Sequence, residues 1–115
     1  MLNQAQIDTV KSAKKVASFI EEFRKINPLM QAQQMIVFLL AASNPDITVT
    51  EIAASAGIST SAAGRHVAAL GKSYKAGLPG YDIITTVPDA SDARIKRVRL
   101  SPKGQRIMAS LEGLL

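Results

Sequence analysis

Residues 48–72 read "TVTEIAASAGISTSAAGRHVAALGK". Thr48 and Glu51 stand in the T-x-x-E spacing of a capping box, in which each side chain satisfies a backbone donor at a helix start. Ile52, Ala53 and Ala56 then supply an inner face of small residues. Gly57 falls where that helix must end, in a left-handed conformation that costs glycine little, and Ile58 plugs the corner. Ser59 is placed to cap a second helix expected over residues 60–72. Two short helices around a glycine-containing turn make a helix-turn-helix. In the second helix Ala63, Val67 and Leu70 share a face and should pack inward, leaving Thr60, Ser61, Gly64, Arg65 and Ala68 on the other. Small residues at each approach, with a largely uncharged outer face carrying Arg65, separate this unit from an ordinary helical hairpin and point to DNA.

Downstream, "SYKAGLPGY" reads as a Gly- and Pro-rich connection, "DIITTV" as a β-branched strand, and "PDASDA" as a turn. "RIKRVRL" alternates charged and apolar residues at the period of a strand, so a hairpin, or wing, is expected over 82–100. Val98 and Leu100 should face inward, Arg97 and Arg99 outward, with Arg94 and Lys96 near the tip. Ser101 and Pro102 form a cap and first-position pair that opens a C-terminal helix with Ile107, Met108 and Leu111 on its apolar side.

Upstream, Ile7, Val10, Ala13, Ala17, Ile20, Phe23 and Ile26 recur at steps of three and four, the stripe of one long amphipathic helix. Asn27-Pro28 reads as the cap and first position of a second helix running to about Ala42, whose all-apolar "MIVFLLAA" belongs in the centre of the fold. The whole reads as one domain of 1–115. It consists of an N-terminal helix in 1–27 with a dimerisation role, a winged helix-turn-helix in 28–100 and a C-terminal helix in 101–115. The fold class is mainly α with a small β-hairpin.

Charge narrows the function. Residues 1–58 hold five Lys or Arg against five acids, whereas residues 59–115 hold nine against four, so all of the net charge of +5 lies in the second half. That asymmetry is the electrostatic footprint of a nucleic-acid binder. The chain has no cysteine and one histidine, no phosphate-binding glycine loop and no carboxylate cluster at metal spacing, which argues against an enzyme, a cofactor or a metal site. No apolar run is long enough for a membrane span, and the polar, periodic first residues lack a signal peptide's apolar core, so no membrane partner and a cytoplasmic location are expected. His66 is read as a packing or surface residue rather than a pH switch, Tyr74 and Tyr81 as local packing, and the four methionines as core filler.

At "SDARIKRVRLSPKG", residues 91–104, the chain resembles the MarR (multiple antibiotic resistance regulator) family, whose wing runs roughly D-x-R, a short basic strand, then V-x-L-[TS]-x-K-G. Asp92, Arg94, Val98, Leu100, Ser101, Lys103 and Gly104 match it, and the helix-turn-helix is similar to the family's. The resemblance covers about residues 28–105. It departs in "GKSYKAGLPGYDIITT", a longer link before the wing than the family has, and in shorter terminal helices.

The resemblance implies a homodimeric transcriptional regulator on double-stranded DNA, with the recognition helix in a major groove and Arg94 in the adjacent minor groove. Asp92 would orient that arginine or its loop, and a small-molecule effector is left open. Lys96, Arg97 and Arg99 are read as phosphate contacts. Ser59, Thr60, Ser61, Gly64, Arg65 and Lys72 are read as the recognition-helix contacts, with much of the specificity coming from DNA shape because so few long donors are present. A dimeric repressor on an inverted repeat is the leading expectation. The alternative is a winged-helix module that docks on RNA polymerase or another regulator.

Overall fold

In the computed structural model, residues 1–75 and 77–115 are described, together with the side chains of all of these except Tyr74 and Lys75. The reading of Tyr74 as local packing therefore lies outside the described residues. The helices are α1 (Gln4–Arg24), α2 (Ala32–Ser43), α3 (Val49–Ala56), α4 (Thr60–Leu70) and α5 (Pro102–Glu112). The strands are β1 (Ile47–Thr48), β2 (Ser73–Lys75), β3 (Leu78–Pro79), β4 (Ile84–Pro88) and β5 (Lys96–Leu100). β5 lies between β1 and β4 in an antiparallel sheet, and β2 pairs with β3 in a separate ribbon. This is a winged helix-turn-helix, mostly helical with a small three-stranded sheet and a two-stranded ribbon.

The core forms where the patterns of the elements converge. Val37 and Phe38 of α2, Ile52 of α3, Ala63 and Leu70 of α4, Ile83, Ile84 of β4 and Val98 of β5 are essentially fully buried together. Phe23 from the end of α1 meets Phe38 edge to face, with ring centroids 5.6 Å apart. Val98 stands opposite Ile47 on one side and Thr86 on the other, so the central strand carries the core face of the sheet.

Three expectations need correction. The second helix does not start at Pro28. Asn27 Oδ1 instead accepts from the Leu29 amide at 2.8 Å, and its Nδ2 donates to the Tyr81 hydroxyl at 3.1 Å, which ties it into a turn. Burial of Met30 then turns the chain, and α2 starts at Ala32 after the Gln31 amide donates to Gln34 Oε1 at 3.1 Å. The helix expected over 60–72 ends at Leu70, because the Tyr81, Asp82 and Ile83 amides donate to the Ala69, Gly71 and Leu70 carbonyls and pull the following chain across the helix end. The connection after it is partly ordered as the β2–β3 ribbon, and the first wing strand begins at Ile84. The apolar residues from α1 to Ile26 are split between core and solvent. Phe19, Phe23 and Ile26 pack on the core, whereas Val10, Val16 and Ile20 stay exposed.

The split gives the molecule its shape. A helix of this length is about 30 Å long, and only its last turns are anchored. The principal extents are 60 × 28 × 23 Å and the radius of gyration is 16.2 Å, against about 13 Å for a compact chain of this size. Among the described residues no helix is long and apolar enough to cross a membrane.

The tightest seam joins α5 to the wing. Ser101 caps α5 by accepting from the Gly104 amide at 3.0 Å while its hydroxyl donates to the Asp82 carbonyl at 2.7 Å. A Cβ on Gly104 would fall on the Ile83 carbonyl and meet the Phe38 ring at 3.3 Å. Gly104→Ala should therefore destabilise by about 3 kcal/mol, opposite in sign to the gain of about 1 kcal/mol that helix propensity alone would give. Chemical denaturation distinguishes the two, and an unchanged midpoint would rule out the close approach.

Candidate nucleic-acid interface

The site is assembled by caps. Glu51 Oε1 accepts from the Thr48 amide at 2.9 Å and Thr48 Oγ1 from the Glu51 amide at 3.1 Å, which completes the capping box at the start of α3. Those bonds hold the Glu51 carboxyl below its usual range, since they favour the charged form. Gly57 closes α3 with φ at +68°. Ser59 Oγ accepts from the Ala62 amide at 3.0 Å, so Ser59 is the cap of α4 and remains exposed.

Those constraints set the faces of α4. Ala63, Val67 and Leu70 are buried, and Thr60, Ser61 and Arg65 are exposed, with Gly64 and Ala68 half-buried. Thr60, Gly64, Ala68 and Lys72 line one wall of an open cleft of about 950 Å³. Thr48 and Thr50, Thr85 and Thr86 of β4, and Arg94, Ile95 and Lys96 of the wing complete its lining. Lys72 reaches the cleft from beyond the helix, not from within it. Ser59, Ser61 and Arg65 sit outside this lining. Arg65 instead shares a smaller polar recess with Gln33 and His66, whose Nε2 lies 2.9 Å from Gln33 Oε1. Burial first, then the Arg65 charge, lower the His66 pKa below the ordinary 6.5.

The wing is preorganised by two aspartates. Asp89 Oδ2 accepts from the Ser91 hydroxyl at 2.6 Å, the Ser91 amide at 3.0 Å and the Asp92 amide at 3.2 Å, folding the turn. Asp92 grips Arg94 through both carboxylate oxygens, at 3.0 Å to Nε and 2.9 Å to Nη2, and also accepts from its amide. This pairing lowers the Asp92 pKa and raises that of Arg94. The arginine nonetheless stands 91% exposed at the tip. Lys96 is exposed on the cleft side, whereas Arg97 and Arg99 turn to Asp89 and Asp46 and do not line the cleft.

Thr50, Thr85 and Thr86 were not among the residues singled out by sequence. Thr85 and Thr86 were visible only as part of a strand, and nothing in a local pattern tells which strand lines the same cleft as α4. Asp46 and Asp89 each follow a proline in what reads as a turn, and the arginine partners lie far away in sequence in the case of Asp46.

No protein-family model matches the chain, and no curated protein sequence matches it. Solved structures do. A mutant of MepR from S. aureus, bound to an oligodeoxyribonucleotide, superposes with a TM-score of 0.73 at 12% identity, covering 99% of this chain and 77% of that one. YusO from Bacillus subtilis gives 0.67 at 16% identity, over 96% and 71% of the two chains. The transcriptional repressor CouR, bound to a 23-mer DNA duplex, gives 0.63 at 21%, over 97% and 72%. These neighbours are winged-helix regulators of the MarR family. At such identities the likeness is one of fold: this chain is a winged helix-turn-helix on the MarR plan, with a helix at either end.

The α4 face is open at its centre, since a Cβ on Gly64 would meet nothing within 4 Å. Gly64→Ala should stabilise the protein by about 0.5–1 kcal/mol through helix propensity, read as a raised melting temperature. A destabilised variant would show that this face is already covered in the free protein.

Proposed function

We propose that the protein is a transcriptional regulator that binds double-stranded DNA as a homodimer, most simply a repressor. The observation that carries this reading is the cleft between α4 and the wing. Its helix wall is built from small and hydroxyl side chains that let a polyanion approach closely, and Lys72, Arg94 and Lys96 supply cations around it. In this reading α4 enters a major groove, with Ser59, Thr60 and Ser61 at phosphate or thymine methyl and Gly64 allowing close approach. Arg65 reads a base edge, and Arg94 reaches the neighbouring minor groove, where a narrow A/T-rich groove attracts a guanidinium. DNA-bound MepR and CouR, which share the fold, support the same class of partner.

The dimer reading rests on uncovered apolar surface. Val16 and Ile20 of α1 are 54% and 45% exposed, and Ile36 and Leu39 of α2 are 47% and 37% exposed. The latter two border an apolar recess of about 440 Å³ against Met108 of α5. A projecting helix with an exposed apolar side and an open apolar recess suit a two-fold arrangement in which each copy covers the other. Two-fold symmetry would place two recognition helices about one DNA turn apart, so the operator should be an inverted repeat with half-sites near 10 base pairs apart.

Two measurements test this. Arg94→Ala, in a protein that still folds, should weaken operator binding and remove the preference for A/T-rich flanks; unchanged affinity and flank preference would refute the wing's role. Sedimentation at micromolar concentration should show a dimer that Val16→Glu combined with Ile20→Glu dissociates without loss of helicity. A monomeric parent, alone and on DNA, would refute the dimer.

A further inference from the structure

Strand β5 carries two classes of cation. Its pleat places Lys96, Val98 and Leu100 on one side and Arg97 and Arg99 on the other. Val98 is fully buried and Lys96 lines the cleft, so the first side faces the core and the DNA-binding surface. On the second side Arg97 pairs in register with Thr48 of β1 and Val87 of β4, and Arg99 with Thr85.

Both arginines are already engaged. Arg97 Nε donates to Asp89 Oδ1 at 2.5 Å, and its Nη1 donates to the Asp46 carbonyl at 2.9 Å. One planar fork thus spans from the wing turn to the turn that opens the helix-turn-helix. Asp89 is only 12% exposed and also accepts from Ser91 and Asp92, so its free oxygen capacity is used up on the protein. Arg99 completes the arrangement through an ion pair with the Asp46 carboxylate. Asp46 has φ at +70°, and its amide donates to the Val98 carbonyl at 3.1 Å. The amide, carbonyl and carboxylate of one residue are therefore all held by β5.

We infer that Arg97, with Arg99, is a positioning residue that locks the wing at a fixed angle to the helix-turn-helix through Asp89 and Asp46, and that neither arginine neutralises DNA phosphate. The assignment rests on the DNA-binding reading above. It revises the sequence expectation that all the β5 cations serve DNA and leaves that role to Lys96 and Arg94. The lowered pKa of Asp89, caused first by Ser91 and then by Arg97, keeps its carboxylate charged. A fork that makes two directed bonds in different directions also suits arginine and not lysine.

The two roles predict opposite signs for one substitution. Asp89→Asn removes a negative charge beside the DNA, and an amide oxygen can still accept from the Ser91 amide. If Arg97 served phosphate, the variant would free a cation and bind more tightly. A locking role predicts binding about fivefold weaker or worse. Arg97→Lys keeps the charge and loses the fork, so it should also bind more weakly, with the slope of log K against log salt unchanged. The double variant should be no weaker than the worse single one, as expected for two residues of one unit. All are compared by fluorescence anisotropy on the parent's footprinted site across a salt series, with helicity checked by circular dichroism. The inference is overturned if Asp89→Asn binds more tightly. It is equally overturned if Arg97→Lys matches the parent while Arg97→Gln lowers the slope by about 0.9 per subunit. A parent that binds no duplex would refute the functional reading itself, a result distinct from either.

Discussion

The backbone of α5 crosses the chain at Ile83 so closely that no side chain fits at residue 104, and the rest of the site depends on that crossing. Ser101 joins there to the Asp82 and Ile83 carbonyls, and Lys103 Nζ donates to the Tyr81 carbonyl at 3.0 Å. The segment 81–83 in turn bonds to the last carbonyls of α4. One continuous set of hydrogen bonds therefore runs from α4, through the entry to the wing, to α5. Because interiors are close-packed, such a seam transmits displacement instead of absorbing it. The orientation of α4 relative to the wing and to α5 is thus one geometric variable, not two. The motif residues Ser101, Lys103 and Gly104 are structural residues of this seam.

Electrostatics at the wing follows a different logic from the net charge. Nine cations in residues 59–115 read as a single basic patch, yet the pleat divides those of β5 between the cleft side and the side that is clamped by aspartates. Asp46, Asp89 and Asp92 lie among them, and each is paired with an arginine. An exposed ion pair by itself contributes little to stability. Here the gain is directional: an arginine gripped through two bonds has fewer conformations to lose when a partner arrives.

The helix-turn-helix was legible because its signals are local. The capping box at Thr48, Gly57 at the turn and Ser59 at the second cap act within three residues of the groups they satisfy, and the structure has all three. The resemblance carried by Asp92 through Gly104 likewise located the wing. What sequence misread depends on distant partners. Asn27 offers the same side-chain oxygen whether it caps a helix or closes a turn, and Tyr81, fifty-four residues away, is part of what holds the turn. The end of α4 was overrun although Gly71 caps it directly after Leu70, and the Ala69 and Leu70 carbonyls are claimed by Tyr81 and Ile83. The two sides of β5 followed from its alternation, but which side meets aspartate and which meets the cleft depends on Asp46, on a turn before β1.

Two features make the free chain less stable than its sequence permits, and they lie where a partner would be met. Gly64 weakens α4 at a position with room for a methyl group, and helix propensity alone would favour alanine there. The α1 helix holds Val10, Val16 and Ile20 in water along a segment that the core does not reach. Neither feature improves the packing of one chain. Local and global preferences agree at the capped starts of α1, α3, α4 and α5 and along the buried side of β5. In a consistently built chain, the few positions that work against folding are those where something outside the chain has set the residue. In the proposed function, Gly64 lies on the surface that DNA approaches, and the bare side of α1 on the surface that a second copy covers. Under that proposal the two demands are linked, because a two-fold dimer would fix the distance between two α4 helices, and that distance would decide whether both open faces reach one side of the same duplex.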